Sequence, residues 1–450
     1  MLTESVNTHR ESVFHSLFDD YEGPSFAFRL WDGWVWRSPA RGEPKCTIVV
    51  HSANALRLLA LHPSEVTLGE AFLAKDIDVE GDLFSVFEVA DHVFHCPKGR
   101  RQKVLEAVSG LLLGVGEWCR TGGRHSQKSD RAAISYHYDQ PVAFYRPWLG
   151  KSLAYSCAYF QSDKDDLDTA QASKLELICR KLRLQPCEHF LDIGCGWGSL
   201  ILHAASRHRV KAYGITLSRE QESVASARIE AARLTQSCHA ELLDYRKAPG
   251  FLPAFDKIAS VGMFEHVGLH HLPLYFQTAH SLLKPGGVFL NHGIARAYTS
   301  ASRSHSFLDR AVIPFLKNVL QMSRPRHSSF IDKYVFPNGE LVTLSQAVRA
   351  AEGAGFEVRD VENLREHYEH TLRCWAEGLR KNADELLTLV SETTYRIWLL
   401  YIAGSAAMFR RGDIAVYQML LSRPERGSSN LPLTRGDWYA NSVYAPSLEV

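Results

Sequence analysis

A doubly wound α/β sheet of the Rossmann type, preceded by a smaller N-terminal α+β domain, is the fold this sequence predicts. Three observations predict it. Short apolar strands alternate with helical stretches from about residue 132 onward, which is the succession of a sheet covered by helices on both faces. A glycine-rich turn, Gly194-Cys195-Gly196-Trp197-Gly198, joins an apolar strand to a helical run. Before residue 120 the pattern differs, with strands first and helices after.

The elements follow in order. Between Tyr21 and Ser52, aromatic and β-branched runs broken by Asp32-Gly33 and Arg41-Gly42-Glu43-Pro44 read as two or three strands with turns. Ala53–Leu61 and Leu83–Phe94 read as amphipathic helices, with Leu68-Gly69-Glu70-Ala71-Phe72 between them. The polar, breaker-rich stretch from Arg120 to Asp130 reads as a linker. The domain reading is therefore 1–120, a linker over 121–131, and 132–450. In the last of these, strands are expected at Phe190–Gly194, Val210–Leu217, Ala240–Leu243, Phe255–Val261, Val288–Ile294, Phe356–Leu364 and Ala415–Leu421. A ligand of such a sheet lies at the carboxyl ends of its strands.

Composition narrows the classes. With 450 residues and 45% hydrophobic content, the chain can build two or three packed domains. Its net charge of +1 lacks the basic excess of a nucleic-acid binder, so no nucleic-acid partner is expected. Nine cysteines without a C-x-x-C pair argue against a zinc ribbon or a redox motif; no metal site and a reducing cytoplasm are expected. Met1–Asp20 lacks the apolar core of a signal peptide. Ile397–Phe409 is too short to span a bilayer and reads as a buried helix, so any membrane contact is expected from the surface.

The glycine turn indicates a cofactor. Its G-x-G-x-G spacing is shorter than the dinucleotide fingerprint, and no acidic residue closes the next strand, Lys211–Leu217. Both features favour S-adenosylmethionine over NAD; the alternative is a tight strand-to-helix turn. A second segment, Phe255–Gly268, runs an apolar strand into Glu265 and His266, and Asn291-His292-Gly293-Ile294 ends the following strand. A carboxylate and imidazoles at one rim can do acid or base work if burial shifts them. A helix cap or a rim salt bridge is the competing reading.

Five ordered strings then carry a family resemblance: Tyr155-Ser156-Cys157-Ala158-Tyr159-Phe160, Asp192 to Gly198, Gly214-Ile215-Thr216-Leu217-Ser218, Glu265-His266-Val267-Gly268 and Lys333 to Gly339. They resemble the cyclopropane fatty acid synthase family, which includes the mycolic acid cyclopropane synthases, over roughly Ala132 to Pro424. Leu68-Gly69-Glu70-Ala71-Phe72 resembles the small extra domain of the phospholipid-acting members, which the shorter mycolic-type enzymes lack. That favours an intact membrane lipid as substrate, with residues 1–120 serving lipid binding or dimerisation.

The resemblance implies a class I S-adenosylmethionine-dependent methyltransferase domain and assigns roles position by position. Tyr155 and Ser156 would close over the methionine part of the cofactor. Asp192, Gly194, Gly196, Trp197 and Gly198 form the glycine loop, Trp197 being either an aromatic wall or core packing. Thr216 and Gln221 would lie along the ribose and methionine, and Asp244, Tyr245 and Arg246 by the adenine. Cys157, Glu265, His292, Ile294 and Tyr368 match a cage for a bicarbonate ion, the base of this family; His137 matches a further active-site histidine.

The implied reaction adds a methylene group across a cis double bond of an unsaturated phospholipid acyl chain, giving a cyclopropane fatty acid. An alkene is a weak nucleophile, so the sulfonium methyl must be held in line with it. The resulting carbocation needs aromatic faces and exclusion of water. Loss of a different proton would give a methyl- or methylene-branched fatty acid instead. Methylation of a soluble acceptor is a further alternative, and a role in binding alone a third. The resemblance places the protein in the cytoplasm, peripheral to the inner face of the membrane, and leaves a homodimer open.

Two departures stand out. Ser405 occupies a position where many members have cysteine; helix packing explains it if no thiol takes part in the chemistry. The segment 296–329 is expanded, and with Phe307 to Leu316 and the cations Arg310, Arg324 and Arg326 it reads as an amphipathic lid or as a surface helical insertion.

Overall fold

The computed structural model describes residues 10–12, 14–53, 55–56, 64–95, 140–296, 330–335 and 340–439. These fall into two compact units. One comprises Met1–Tyr138, Leu320–Pro337 and Ser391–Ala407; the other comprises Asp139–Val319, Asn338–Val390 and Met408–Val450. The linker reading at 121–131, His137 and all of the 296–329 insertion beyond Arg296 lie outside the described residues.

The first unit holds a four-stranded sheet of β1 (Phe26–Arg29), β2 (Val35–Arg37), β3 (Cys46–Val50) and β4 (Ile77–Gly81), in the order β2-β1-β3-β4. Asp32-Gly33 turns the β1–β2 hairpin: Gly33 takes φ +83°, and the Asp32 carboxylate accepts the Trp34 N–H at 3.1 Å. Phe14, Phe18, Phe26 and Trp36 fill the core beneath it. β4 was not expected from the sequence, because Asp78 and Glu80 interrupt its apolar character. The helix Leu83–His95 agrees with the expectation. The helix Glu392–Arg411, expected as a buried run over 397–409, contributes residues up to Ala407 to this unit. Its Ile397 packs with Phe330, Val335 and Leu73.

The second unit is a seven-stranded sheet. Its strands are β5 (His189–Ile193), β6 (Lys211–Thr216), β7 (Cys238–Leu242), β8 (Phe255–Val261), β9 (Leu283–Arg296), β10 (Glu357–Asn363) and β11 (Ile414–Ser422), in the order β10-β11-β9-β8-β5-β6-β7. All are parallel up to β9; β11 inserts antiparallel to both of its neighbours. Side chains alternate between two cores, as strand geometry requires. Val288 and Leu290 enter the one with the helices Leu167–Leu182 and Ser199–His208, and Phe289 enters the one with Leu272–Leu282 and Leu344–Gly353. The chain runs outward from β5 through β6 to β7, then returns to the other side of β5 with β8. That reversal opens a crevice at the carboxyl ends of β5 and β8.

Candidate active site

The glycine loop leaves β5 at this crevice. Gly194, Gly196 and Gly198 all adopt positive φ, +85°, +53° and +85°, which side chains with a Cβ resist. The Gly194 and Cys195 N–H groups bond the Ile215 carbonyl at 2.9 and 3.0 Å, tying the loop to β6. A Cβ on Gly198 would lie 3.1 Å from that of Ala225, whereas one on Gly196 would meet nothing within 4 Å. Gly196 therefore borders open space that a cofactor can occupy at backbone distance. Asp192, buried at the strand end, has its Oδ1 without a partner. Burial pushes its carboxyl up to about 7, against the opposing pull of Lys174. An orphaned carboxylate oxygen beside a glycine cradle fits the cationic, hydrogen-bonding methionine end of S-adenosylmethionine.

Trp197 is buried, its ring 4.9 Å from Tyr145, so its side chain packs in the core while its carbonyl accepts Arg228 at 2.6 Å. Thr216, closing β6, bonds Gln221 at 2.7 Å, and Ser218 caps the helix Arg219–Ala231. The two neutral residues thus form one polar unit at a strand end. Asp244 follows β7 and is clasped by Arg246, which holds its carboxyl below the usual carboxylate range; Tyr245 lies 5.7 Å from Tyr275.

The segment Tyr155-Ser156-Cys157 is pinned by the helix Leu167–Leu182. Gln171 donates to the carbonyls of Ala154 and Ser156 at 3.2 and 2.9 Å, and Lys174 donates to Ser156 Oγ at 2.9 Å. Lys174 is fully buried, which lowers its ammonium to about 8. Cys157 is likewise fully buried; its thiol is pushed up and reaches the Leu364 carbonyl at 3.7 Å. That carbonyl also receives the Tyr368 N–H at 3.0 Å, so Cys157 and Tyr368 meet at one backbone group. The rings form one continuous run: Tyr155 lies 5.2 Å from Trp375, Trp375 lies 6.0 Å from Tyr368, and Tyr368 lies 4.7 Å from Phe409.

Glu265 lies in the short turn after β8, and His292 lies within β9 opposite Val261, the last residue of β8; β9 does not end at Asn291–Ile294, as the sequence suggested, but continues to Arg296. Glu265 Oε1 accepts the Ile294 N–H at 2.7 Å, so this carboxylate is fixed by the backbone of another residue matched to the cage. Glu265 Oε2 is shut off from solvent without a partner, and burial pushes the carboxyl up to about 7. His292 is buried; Gln418 lies 3.2 Å from its Nδ1, and its Nε2 has no partner. Burial and the cations Lys174 and Lys181 lower the imidazole to about 3, so it is neutral at physiological pH. His266 points to the exposed side. Ser405 is buried in the first unit, not in the unit that carries these residues.

Gln171, Lys174, Lys181 and Gln418 were not expected from the sequence. A signal for the lysines was present: Lys174, Ile178 and Lys181 follow the i, i+4, i+7 spacing of a buried stripe, where a cation needs a polar partner.

Known proteins match this arrangement. Residues 125–419 match the mycolic acid cyclopropane synthetase family, and residues 13–93 match a domain of unknown function. A probable fatty acid methyltransferase of Pseudomonas putida is 39% identical over 412 residues, 91% of this chain and 95% of that protein. The cyclopropane-fatty-acyl-phospholipid synthase of Escherichia coli K12 is 36% identical over 287 residues, 64% of this chain and 66% of that protein. The crystal structure of a mycolic acid cyclopropane synthase, CmaA1, complexed with SAH and CTAB aligns with a TM-score of 0.56 at 33% identity, covering 64% of this chain and 97% of that one. The class I methyltransferase sheet and the family match agree, and the chain belongs to the mycolic acid cyclopropane synthetase family of S-adenosylmethionine-dependent methyltransferases.

Proposed function

We propose that the protein adds a methylene group across a cis double bond of an unsaturated phospholipid acyl chain, forming a cyclopropane fatty acid. The observation that carries this reading is a pair of buried, partnerless polar atoms, Glu265 Oε2 in the turn after β8 and His292 Nε2 on β9 opposite the last residue of β8. Such atoms are costly unless a bound molecule satisfies them. Bicarbonate suits them, because it has an O–H to give and two oxygens to accept.

Bound S-adenosylmethionine supplies the electrophilic methyl. Asp192, the glycine loop and the Tyr155–Cys157 segment hold it and aim it at the alkene. Tyr155, Trp375 and Tyr368 present aromatic faces that stabilise positive charge developing in the acyl chain. Glu265 and His292 orient the base that takes a proton from the newly added methyl, whose C–H electron pair then closes the ring. Tyr368 completes the cage beside Cys157. Residues 1–120 would then serve lipid docking or dimerisation. No helix among the described residues is long and apolar enough to cross a membrane, which is consistent with an enzyme that reaches lipid from the surface.

A second reading keeps the site and changes the product. The relative aligned over 91% of this chain is named a probable fatty acid methyltransferase, a name that also covers a methyl- or methylene-branched product. Incubation with labelled cofactor and unsaturated phospholipid vesicles, followed by lipid mass spectrometry and hydrogenation, separates the readings. A product that has gained one CH2 and resists mild hydrogenation is expected. A readily reduced product selects the methylene-branched alternative, and turnover of a soluble acceptor without lipid modification would sink both lipid readings.

A further inference from the structure

A relay of hydrogen bonds behind His292 determines which of its nitrogens carries the proton. Lys181 sits fully buried on the helix Leu167–Leu182, ion-paired with Glu362 on β10. Its Nζ donates to Gln418 Oε1 at 2.7 Å, on the neighbouring strand β11. An ammonium has donors and no acceptor, so the Gln418 amide oxygen must face Lys181 and its NH2 must face away. That NH2 lies 3.2 Å from His292 Nδ1. An amide NH2 can only donate, so Nδ1 must be the bare, accepting nitrogen. A neutral imidazole then carries its single proton on Nε2, the atom that is buried without a protein partner.

We propose that Lys181 and Gln418 are positioning residues that hold His292 as its Nε2–H tautomer, so that the cage receives a fixed N–H donor to complement the acceptor oxygen of Glu265. The pairing explains a feature that burial alone does not. Two ordinary surface residue types, a lysine and a glutamine, stand at 0% and 1% exposure in the core of the sheet and its covering helix. Buried polar groups of this kind are retained where they specify an arrangement. The opposite tautomer would aim a lone pair at the cage, and an anion held there would meet repulsion from both Glu265 and His292. Lys181 thus acts on the site through two intermediaries and touches no reacting atom.

The catalytic consequence rests on the bicarbonate reading, whereas the tautomer itself does not, so the test has two readouts. In the full-length protein labelled with 15N-histidine, long-range proton–nitrogen correlation spectra report the protonation of each ring nitrogen; His292 is assigned by loss of its signals in His292→Asn. A bare Nδ1 and a protonated Nε2 are expected. Gln418→Glu replaces the NH2 by a second acceptor oxygen and is expected to invert the pattern to Nδ1–H. Methyl transfer should then fall by roughly a hundredfold or more while cofactor affinity is unchanged. Gln418→Met, similar in volume and without hydrogen bonds, should give both tautomers, which separates loss of packing from loss of the relay. Nδ1–H in the unaltered protein, or an inverted tautomer with undiminished transfer, would overturn the proposal. The expected 15N pattern in a protein whose transfer does not respond to bicarbonate would leave the tautomer assignment standing and remove the cage reading.

Discussion

The Glu265 carboxylate is held by one oxygen only: Oε1 accepts the Ile294 N–H at 2.7 Å, and Oε2 is buried with nothing to receive. The backbone bond ties the group, in the turn after β8, to the neighbouring strand β9. Its second oxygen stays available.

Glu265→Gln keeps the shape and removes the acceptor pair. Lipid methylation is expected to drop by about a hundredfold or more, the usual scale for losing a positioned acid or base group. Circular dichroism and calorimetric titration with the cofactor should show an unchanged fold and unchanged binding. Transfer at the original rate would exclude Glu265 from the chemistry.

Burial raises the Glu265 carboxyl from 4.5 to about 7, which has a consequence for stability. A carboxyl with a raised folded-state pKa stabilises the fold below its unfolded value. That contribution is lost as pH climbs through the folded value. Wild type should therefore lose stability relative to Glu265→Gln between about pH 4.5 and about pH 7, by at most about 3 kcal/mol. Urea denaturation of both proteins across that interval measures it; parallel profiles would contradict the burial of this group.

The three loop glycines should differ on substitution. Gly196→Ala has room for its Cβ but must hold a positive φ, so it is expected to fold with a loss of about 1 kcal/mol. Its methyl would occupy the space open to the cofactor, weakening binding by roughly tenfold or more in a calorimetric titration. Gly198→Ala pays the same backbone cost and in addition crowds Ala225. Its main effect should be on thermal stability.

In the first unit, the Arg396 guanidinium donates to the carbonyls of Phe72 and Ile77 at 2.8 and 3.1 Å and to Asp78 at 2.6 Å, and lies 4.0 Å from the Phe72 ring centroid. Arg396→Met would remove a buried guanidinium and its three hydrogen bonds, leaving Asp78 with His51 alone and the Phe72 carbonyl with its helix-end N–H partners. A loss of about 3 kcal/mol is expected, with the fluorescence transition of the first unit shifting to lower urea. An unchanged midpoint would show that water replaces the guanidinium.

All seven strands of the large sheet were legible because each is a short apolar or alternating run bounded by breakers. Only the ends moved. β9 begins at Leu283, five residues before the expected Val288, because Leu283 already pairs with Phe255; Lys284-Pro285-Gly286-Gly287 then breaks the register, with Gly286 at φ +76°, before Val288 resumes opposite Lys257. The positions of Glu265 just after β8 and of Cys157 in a loop were legible for the same reason, and so was that of His292 on β9, although the strand continues four residues beyond it. Their supports were not. Lys174, Lys181 and Gln418 are polar residues that ordinarily signal solvent, and only the folded sheet shows that each faces a partner in the interior. β4 escaped because two acidic residues occupy a strand of five.

The first unit draws on three separated stretches of chain, with Ile397 packed among Phe330, Val335 and Leu73. It is therefore no cassette. Recombination that swaps only the N-terminal stretch between relatives would import one wall of that core while keeping the other two. A change of volume at Leu73 is therefore met by Phe330, Val335 and Ile397, more than two hundred positions later in the chain.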